Sequence, residues 1–329
     1  MNTGPSIILQ GVALAVVATL CWAFNFIAPY VLQGYSIHDF MLVRFLIAGT
    51  LGLLGLPLFR AQLRGLRMQE WLTGMGLGVL GYFAYSVSIA GGVIFGGPTL
   101  IAAFIGTVPV LQALLGNARA RTLNWGQLAL PIGLLCVGLL LVNLQAGEQA
   151  ATRDSIGLGV MFSLVAVLLW LSFSVVNQAA MDRLHTDATG AWTCLMMIGA
   201  GLAALLLTPI AWHLDLLRLP EPDLPGFGLQ TLSALKLYLW ALVIALLSSV
   251  LGAGAWNLAS RRLPMVLSGQ LIALESFFAT LLGLAFHGRL PTLGEAMGLA
   301  LILFGTAYSV QIILRPRRAN IPCEQRDSP

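Results

Sequence analysis

An uninterrupted apolar run covers residues 189–212 and reads TGAWTCLMMIGAGLAALLLTPIAW, without any Asp, Glu, Lys or Arg. A helix needs about 20 such residues to cross the hydrocarbon core of a bilayer. The run is therefore predicted to be a membrane-spanning helix. Nine further runs of similar length and character raise the expected number to ten, and they lie at about 7–29, 37–58, 71–94, 98–117, 123–144, 157–180, 237–259, 265–286 and 293–314.

The overall composition agrees with a chain that lies almost wholly within a membrane. Hydrophobic residues make up 58% of the 329 positions and charged residues only 9%, against about 25% charged residues in a soluble domain. So few charges exclude a disordered chain and a nucleic-acid binder, and they argue against a soluble enzyme. The expected fold is an all-α integral membrane protein, with residues 1–329 forming a single membrane domain.

The motifs that usually indicate a cofactor or metal site are either missing or lie in the wrong structural context. Residues 76–81 spell GxGxxG, but no strand precedes them and they lie inside a predicted span, where glycine indicates close helix packing. The sequence has no GxxxxGK[ST] loop for ATP and no Cys/His spacing typical of a zinc site. We therefore expect no cofactor, no metal and no disulfide framework. The cysteines are Cys21, Cys136, Cys194 and Cys323.

The positions of the basic residues predict the orientation. If the N-terminus is cytoplasmic, twelve of the 17 Lys and Arg lie in inner loops or in the tail at 315–329, four lie in outer loops, and Arg44 lies within a helix. Inner loops carry an excess of Lys and Arg in membrane proteins. Both termini are thus expected in the cytoplasm, with the protein in the inner (plasma) membrane.

The sequence also contains an internal repeat, with one half at 7–144 and the other at 157–314. Residues of the same type recur in order, at a separation that grows from 148 to 166: Trp22 with Trp170, Asp39 with Asp187, and Pro98 with Pro264. Since each half has five predicted helices, the second half must enter the membrane from the opposite side. Inverted repeats of this kind are typical of transporters, whose substrate lies near the midplane between the repeats.

Four segments resemble a known family. They are LCWAFNF at 20–26, RFLIA at 44–48, GTVPV at 106–110 and ALESFF at 273–278. The chain resembles the drug/metabolite transporter superfamily in its ten-helix EamA form over roughly residues 10–314. This resemblance implies a basket of helices around a central cavity and export of small metabolites, often amino acids. The halves differ chemically, because Phe173 stands where a second Asn is expected and Trp192 stands opposite Arg44.

Glu275 is the sharpest chemical signal, since it falls near the middle of a predicted span. A carboxylate at that depth costs roughly 2.5–3.5 kcal/mol even on insertion-based scales. It must therefore be protonated, paired or facing water. We expect Glu275 to face the central cavity and to exchange a proton or hold a cation; the alternative is a neutral side chain bonded to a neighbouring helix.

Arg44 is the one Lys or Arg inside a predicted span, and it lies nearer the outer interface. Arginine keeps its charge, so it needs a partner or a path to water. We expect it to brace helices through backbone carbonyls or Asp39. The alternative is that it binds a substrate carboxylate.

Three groups of aromatic and polar residues occupy single helix faces. Such faces suit an amphipathic substrate, although the same residue types also hold membrane helices together. The candidate cavity residues are Trp22 with Asn25, Tyr82 with Tyr85, and Trp170 with Ser174 and Asn177, and the weaker candidates are Gln270, Thr107 and Asn257.

The sequence therefore predicts a secondary transporter, expected to export amino acids or related small metabolites by alternating access. Its expected partners are a small-molecule substrate, membrane lipid and protons as a candidate coupling ion, with no nucleic acid. One alternative is a membrane enzyme acting on lipid-linked substrates, which would need carboxylates or His clustered at one interface. A non-transporting scaffold or sensor is the other, and it leaves Glu275 unexplained.

Overall fold

The computed structural model describes residues 4–27, 36–144, 156–217 and 229–315. Within them ten helices are long and apolar enough to cross a membrane, which confirms the predicted fold class. Parts of the 213–236 loop, the tail beyond 315 and residues 28–29 fall outside the described ranges. The ten helices are α1 Pro5–Phe26, α2 Ile37–Arg64, α3 Met68–Pro98, α4 Leu100–Ala120, α5 Trp125–Asn143, α6 Ile156–Arg183, α7 Thr186–His213, α8 Leu235–Ser260, α9 Met265–Phe286 and α10 Leu293–Leu314.

The C-terminal end of α2 is the boundary that the sequence placed least well. The predicted helix stops at 58, whereas α2 continues to Arg64. A 3-10 turn at Leu56–Phe59 carries Pro57 near its start, and a further helical turn, Arg60–Arg64, follows it. Proline is tolerated at the start of such a turn, where its missing N–H is not needed. Arg60 and Arg64, which belong to the predicted basic loop, lie on this added turn.

The connection between α3 and α4 is almost absent. Gly97 adopts φ 80° and ψ 161°, a backbone conformation essentially restricted to glycine. Pro98 follows it and cannot donate a backbone hydrogen bond. One glycine and one proline thus separate the two helices, and α4 begins at Leu100, two residues after the predicted start at Pro98.

Two of the helices contain π-helical segments that the sequence did not predict. They lie at Val79–Ala84 in α3 and at Ala245–Gly252 in α8. A π segment inserts an extra residue into a helical turn, and such segments are frequent at functional sites. The segments begin 166 residues apart, the same separation as Pro98 and Pro264.

The helices pair in a pattern that the two halves share. α1 packs on α8 and α3 packs on α6, while α2, α4 and α5 pack on α7, α9 and α10 respectively. Where α2 crosses α7, a Cβ built on Gly49 would lie 2.8 Å from Cα of Gly201. This contact brings the two backbones together as small residues do in membrane bundles. The pairing agrees with a two-part chain, and the inversion of the second half stays a prediction.

The orientation can be tested by cysteine labelling. In a background free of the four native cysteines, Gly65→Cys should react with a membrane-impermeant maleimide only after the membrane is opened, because the basic loop around it is predicted to be cytoplasmic. Leu290→Cys, which replaces an 88% exposed residue after α9, should react in intact cells. Labelling of position 65 from outside would overturn both the orientation and the inverted repeat.

Candidate functional site

The π segment of α8 holds a polar cluster together. Ser248 lies within that segment, and its hydroxyl accepts hydrogen bonds from Asn25 Nδ2 and from an Arg44 terminal nitrogen, both at 3.1 Å. Its backbone carbonyl accepts a hydrogen bond from Trp22 Nε1, also at 3.1 Å. We call Trp22, Asn25, Arg44, Ser248 and the neighbouring Tyr82 the Ser248 cluster. It joins α1, α2, α3 and α8.

Three polar atoms of this cluster are buried without a hydrogen-bond partner among the described residues. They are Asn25 Oδ1, Arg44 Nε and the Tyr82 hydroxyl. Arg44 packs its guanidinium 4.8 Å from the ring centre of Phe45 and interacts electrostatically with Tyr82. Within the described part of the chain no carboxylate forms a salt bridge with it. Arg44 is partly buried, with its Nε shielded from solvent. A charge held away from water without a counterion is costly, so the cluster has the composition of an anion-binding site.

Aromatic rings lie next to the cluster and contact one another. The rings of Trp22 and Trp170 meet edge to face at 5.6 Å between centroids, and Trp256 lies 5.3 Å from Trp22. Tyr85 lies 5.0 Å from Trp170, and Phe173 is 5.3 Å from the same ring. Ring pairs at these distances are mutually attractive, so they form a continuous aromatic group across α1, α3, α6 and α8.

Glu275 lies in the part of α9 that follows a local irregularity. The helix is interrupted at Ile272, and the Glu275 N–H donates to the Ile272 carbonyl at 2.9 Å. The side chain is partly buried and close enough to Tyr85 for an electrostatic interaction. No basic side chain of the described ranges lies within salt-bridge distance of it. Glu275 therefore stands beside the aromatic group as an intramembrane carboxylate without a fixed counterion.

Trp170 and Ser174 share one partner on α4. Trp170 Nε1 and the Ser174 hydroxyl both donate to Oε1 of Gln112, each at 3.0 Å. Ser174 and Gln112 are both buried. The pair thus fixes the Trp170 ring in the aromatic group, in the way that the Ser248 carbonyl fixes the Trp22 ring.

Asn177 lies in a separate network of hydrogen bonds between helices. Its Oδ1 accepts a bond from Trp192 Nε1 at 3.0 Å, and its Nδ2 donates to Asn257 Oδ1 at 2.9 Å. The Asn257 amide in turn donates to Thr193 Oγ1 at 2.9 Å. These residues join α6, α7 and α8 with their polar atoms paired. Asn177 and Asn257 are therefore left out of the site proposed below.

Gln270 and Thr107, the remaining candidates from the sequence, have local partners. The Gln270 amide donates to the Val266 carbonyl at 3.1 Å and accepts a short hydrogen bond from Ser309 on α10. The Thr107 hydroxyl donates to the Phe104 carbonyl at 2.6 Å. Neither residue belongs to the Ser248 cluster.

Sequence reasoning overlooked Ser248, Gln112 and Trp256. A serine in an apolar run is common in membrane helices, so its type alone carries little information. Gln112 and Trp256 offered a stronger signal, because a glutamine and a tryptophan within predicted spans are both costly to leave without partners. Among the described residues, no group of three or more His, Cys, Asp or Glu could hold a metal ion.

The fold and the site together describe a polytopic membrane protein with ionisable and aromatic residues gathered between its helices, which is the architecture of a small-molecule transporter. The model of the EamA-like transporter family matches residues 9–144 and again 157–311. The chain therefore belongs to the EamA-like transporter family.

Individual proteins extend the comparison. The chain is 29% identical to the inner membrane protein YtfF of Escherichia coli (strain K12) over 315 residues, which are 92% of this chain and 95% of that protein. A solved crystal structure matches with a TM-score of 0.68 at 18% identity, covering 92% of this chain and 97% of that chain. At that identity the crystal structure supports the fold alone. Family and relative point to a transporter rather than an enzyme.

Proposed function

We propose that this chain is a secondary transporter that exports small organic metabolites, above all amino acids and related compounds, across the inner membrane. The proposal is carried by one observation: an intramembrane carboxylate and an intramembrane guanidinium, neither with a counterion among the described residues, stand beside one aromatic group. Intramembrane ionisable residues commonly mark substrate and ion pathways. The name of the relative YtfF supports the choice of membrane.

The transport cycle follows from the paired halves. Residues 7–144 and 157–314 act as inverted repeats, and the two bundles rock about a site at their interface. Glu275 faces this site and exchanges a proton with it or holds a substrate ammonium group. Protons are thus the candidate coupling ion, and both termini lie in the cytoplasm.

The test is transport by the purified full-length chain in proteoliposomes. Liposomes loaded with each of a panel of amino acids, amines, organic acids and sugars should show counterflow of the matching radiolabelled compound for a restricted set. A pH gradient should alter the rate for that set. Transport of no compound, together with turnover of a lipid-linked substrate, would favour the enzyme alternative.

Arg261 forms the contact that holds the cytoplasmic ends of α6, α7 and α8 together. Its guanidinium donates to Thr189 Oγ1 at 2.6 Å and to the carbonyls of Met181, Leu184 and His185 at 3.0, 2.8 and 2.7 Å. Burial is the main cause that lowers its pKa, followed by Arg262. We assign this contact the role of a latch that keeps these helix ends together.

Arg261→Lys should loosen that latch. An ammonium group has three donors without the planar fork, so it cannot keep all four hydrogen bonds, and each bond to a charged group contributes about 1.5–3 kcal/mol. Losing one should raise the alkylation rate of Ser260→Cys from the inner side roughly tenfold. Arg262→Lys is the matched control, because Arg262 bonds to the Leu258 carbonyl four residues earlier in the chain and to no other helix of the described ranges. Equal rates in both variants would show that Arg261 is no latch.

A further inference from the structure

The unpartnered atoms of the Ser248 cluster define the ligand that would complete it. Arg44 Nε and the Tyr82 hydroxyl are donors, whereas Asn25 Oδ1 only accepts. The assignment of the Asn25 amide is fixed by its surroundings, because Nδ2 lies 2.8 Å from the Trp22 carbonyl oxygen. Reversing the amide would place two acceptors against each other. The cluster therefore lacks one group that accepts two hydrogen bonds and one group that donates.

We propose that Arg44, Tyr82 and Asn25 form a head-group subsite for an α-amino acid. The carboxylate accepts from Arg44 Nε and the Tyr82 hydroxyl, and the adjacent ammonium donates to Asn25 Oδ1. The inference rests on the proposed transport function and deepens it, since it assigns the recognition of the substrate class to named residues. Ser248 positions the subsite by holding Arg44 and Asn25 through its hydroxyl.

The charge of the cluster favours an amino acid over compounds that carry only an ammonium group or only an anionic group. A free amine would place a second cation beside Arg44 and leave the guanidinium without an anion. An inorganic phosphate would bring up to two negative charges to a single arginine and present no ammonium to Asn25. An amino acid neutralises Arg44 with one carboxylate and satisfies all three atoms.

The subsite also gives separate roles to Arg44, which binds the substrate head group, and Glu275. Because Asn25 accepts from the ammonium, the head group needs nothing from Glu275, which stays free to exchange protons. Asn25 Nδ2 donates to the backbone carbonyl of Trp22. The aromatic group that contains the Trp22 and Trp170 rings therefore lies next to Asn25. It offers an apolar surface to the side chain of the substrate.

Binding by the full-length parent to matched probes is the first measurement. One set is L-phenylalanine, phenethylamine without the carboxylate, and 3-phenylpropionate without the ammonium; a second set is L-leucine, isoamylamine and 4-methylpentanoate. At least one amino acid should raise the apparent unfolding temperature and bind at least tenfold tighter than either truncated probe. An amine that binds as tightly as its amino acid overturns the subsite. The subsite is also overturned if the protein transports another class of metabolite and binds neither amino acid. In that case the proposed transport function still holds.

Variants test the assignment to residues. Arg44→Gln should weaken amino-acid binding roughly 10- to 100-fold, as expected for a lost charged hydrogen bond, while binding of the matching amine is unchanged or improved. Arg60→Gln, at an exposed arginine of the same helix, is the control and should match the parent. Tyr82→Phe keeps the ring, removes one donor, and should reduce the preference for the amino acid over the amine several-fold.

The pattern over the probes distinguishes recognition from mere packing. If Arg44→Gln does not fold, Tyr82→Phe is the deciding variant. A reduced preference for the amino acid over the amine supports the subsite, and an unchanged preference overturns it. Unchanged affinity in Arg44→Gln, or an equal loss for amino acid and amine, overturns the subsite. A parent that transports nothing in the metabolite panel removes the transport function and the subsite with it.

Discussion

Glu275→Gln is expected to insert and fold like the parent while losing substrate-dependent transport, or while transporting at a rate that no longer varies with pH. Glutamine keeps the size and the hydrogen-bonding capacity of the side chain and removes its titration. Glu275 has no basic counterion among the described residues, so the substitution breaks no ion pair there. The effect should therefore appear in transport rather than in stability.

Proteoliposome counterflow at several pH values, beside the apparent unfolding temperature, measures both properties. Glu70→Gln is the matched control, because it makes the same chemical change at the start of α3. Glu70 caps that helix by accepting from the Arg67 N–H at 2.7 Å, and glutamine preserves such a cap. Glu275→Asp should retain a pH dependence because it retains a titrating group. If Glu275→Gln transports like the parent at every pH, the carboxylate is structural and proton coupling lies elsewhere.

The length and apolar character of the spans explain why the ten helices could be predicted. Backbone polar groups must be satisfied within the helix in a bilayer, so a run of sufficient length has few other solutions. The predicted bounds of α9 and α10 agree with the structure to the residue. The π segments could not be predicted in the same way. Whether a turn inserts an extra residue depends on the neighbouring helices, and the two serines of Ala245–Gly252 are of a type common in ordinary membrane helices.

The candidate site was open to prediction only in part. Arg44 and Glu275 are expensive in a bilayer whatever surrounds them, so their types alone single them out. Asn25 and Asn177 give the same signal in sequence, yet Asn25 keeps an unpartnered oxygen in the Ser248 cluster while Asn177 is paired between helices. The difference depends on partners elsewhere in the chain: Ser248 is 223 positions from Asn25, and Asn257 is 80 positions from Asn177. A single sequence identifies costly polar residues but does not show which partners they meet.

Gly78→Ala is expected to cause the largest loss of stability among simple substitutions in α3. A Cβ built on Gly78 overlaps the backbone carbonyl of Met196 and lies 2.9 Å from its Cα. On the opposite face of the same contact, a Cβ on Gly199 overlaps the backbone of Met75. Both obstacles are backbone rather than flexible side chain, so α3 and α7 must move apart to admit one methyl group. Overpacking of this kind costs about 1–3 kcal/mol, and more where backbone must shift.

The same stretch of sequence supplies the control for that prediction. Gly76 lies two residues earlier, and a Cβ built there has no neighbour within 4 Å. Alanine is a better helix former than glycine by about 1 kcal/mol, so Gly76→Ala should leave the apparent unfolding temperature in detergent unchanged or raise it. Gly78→Ala should lower it by a few °C, since about 1 kcal/mol shifts the unfolding temperature of a large domain by roughly 2–4 °C, despite the same gain in helix propensity. The GxGxxG pattern at 76–81 would then owe its second glycine to the approach of α7, whereas equal unfolding temperatures would mean that the two helices separate without cost.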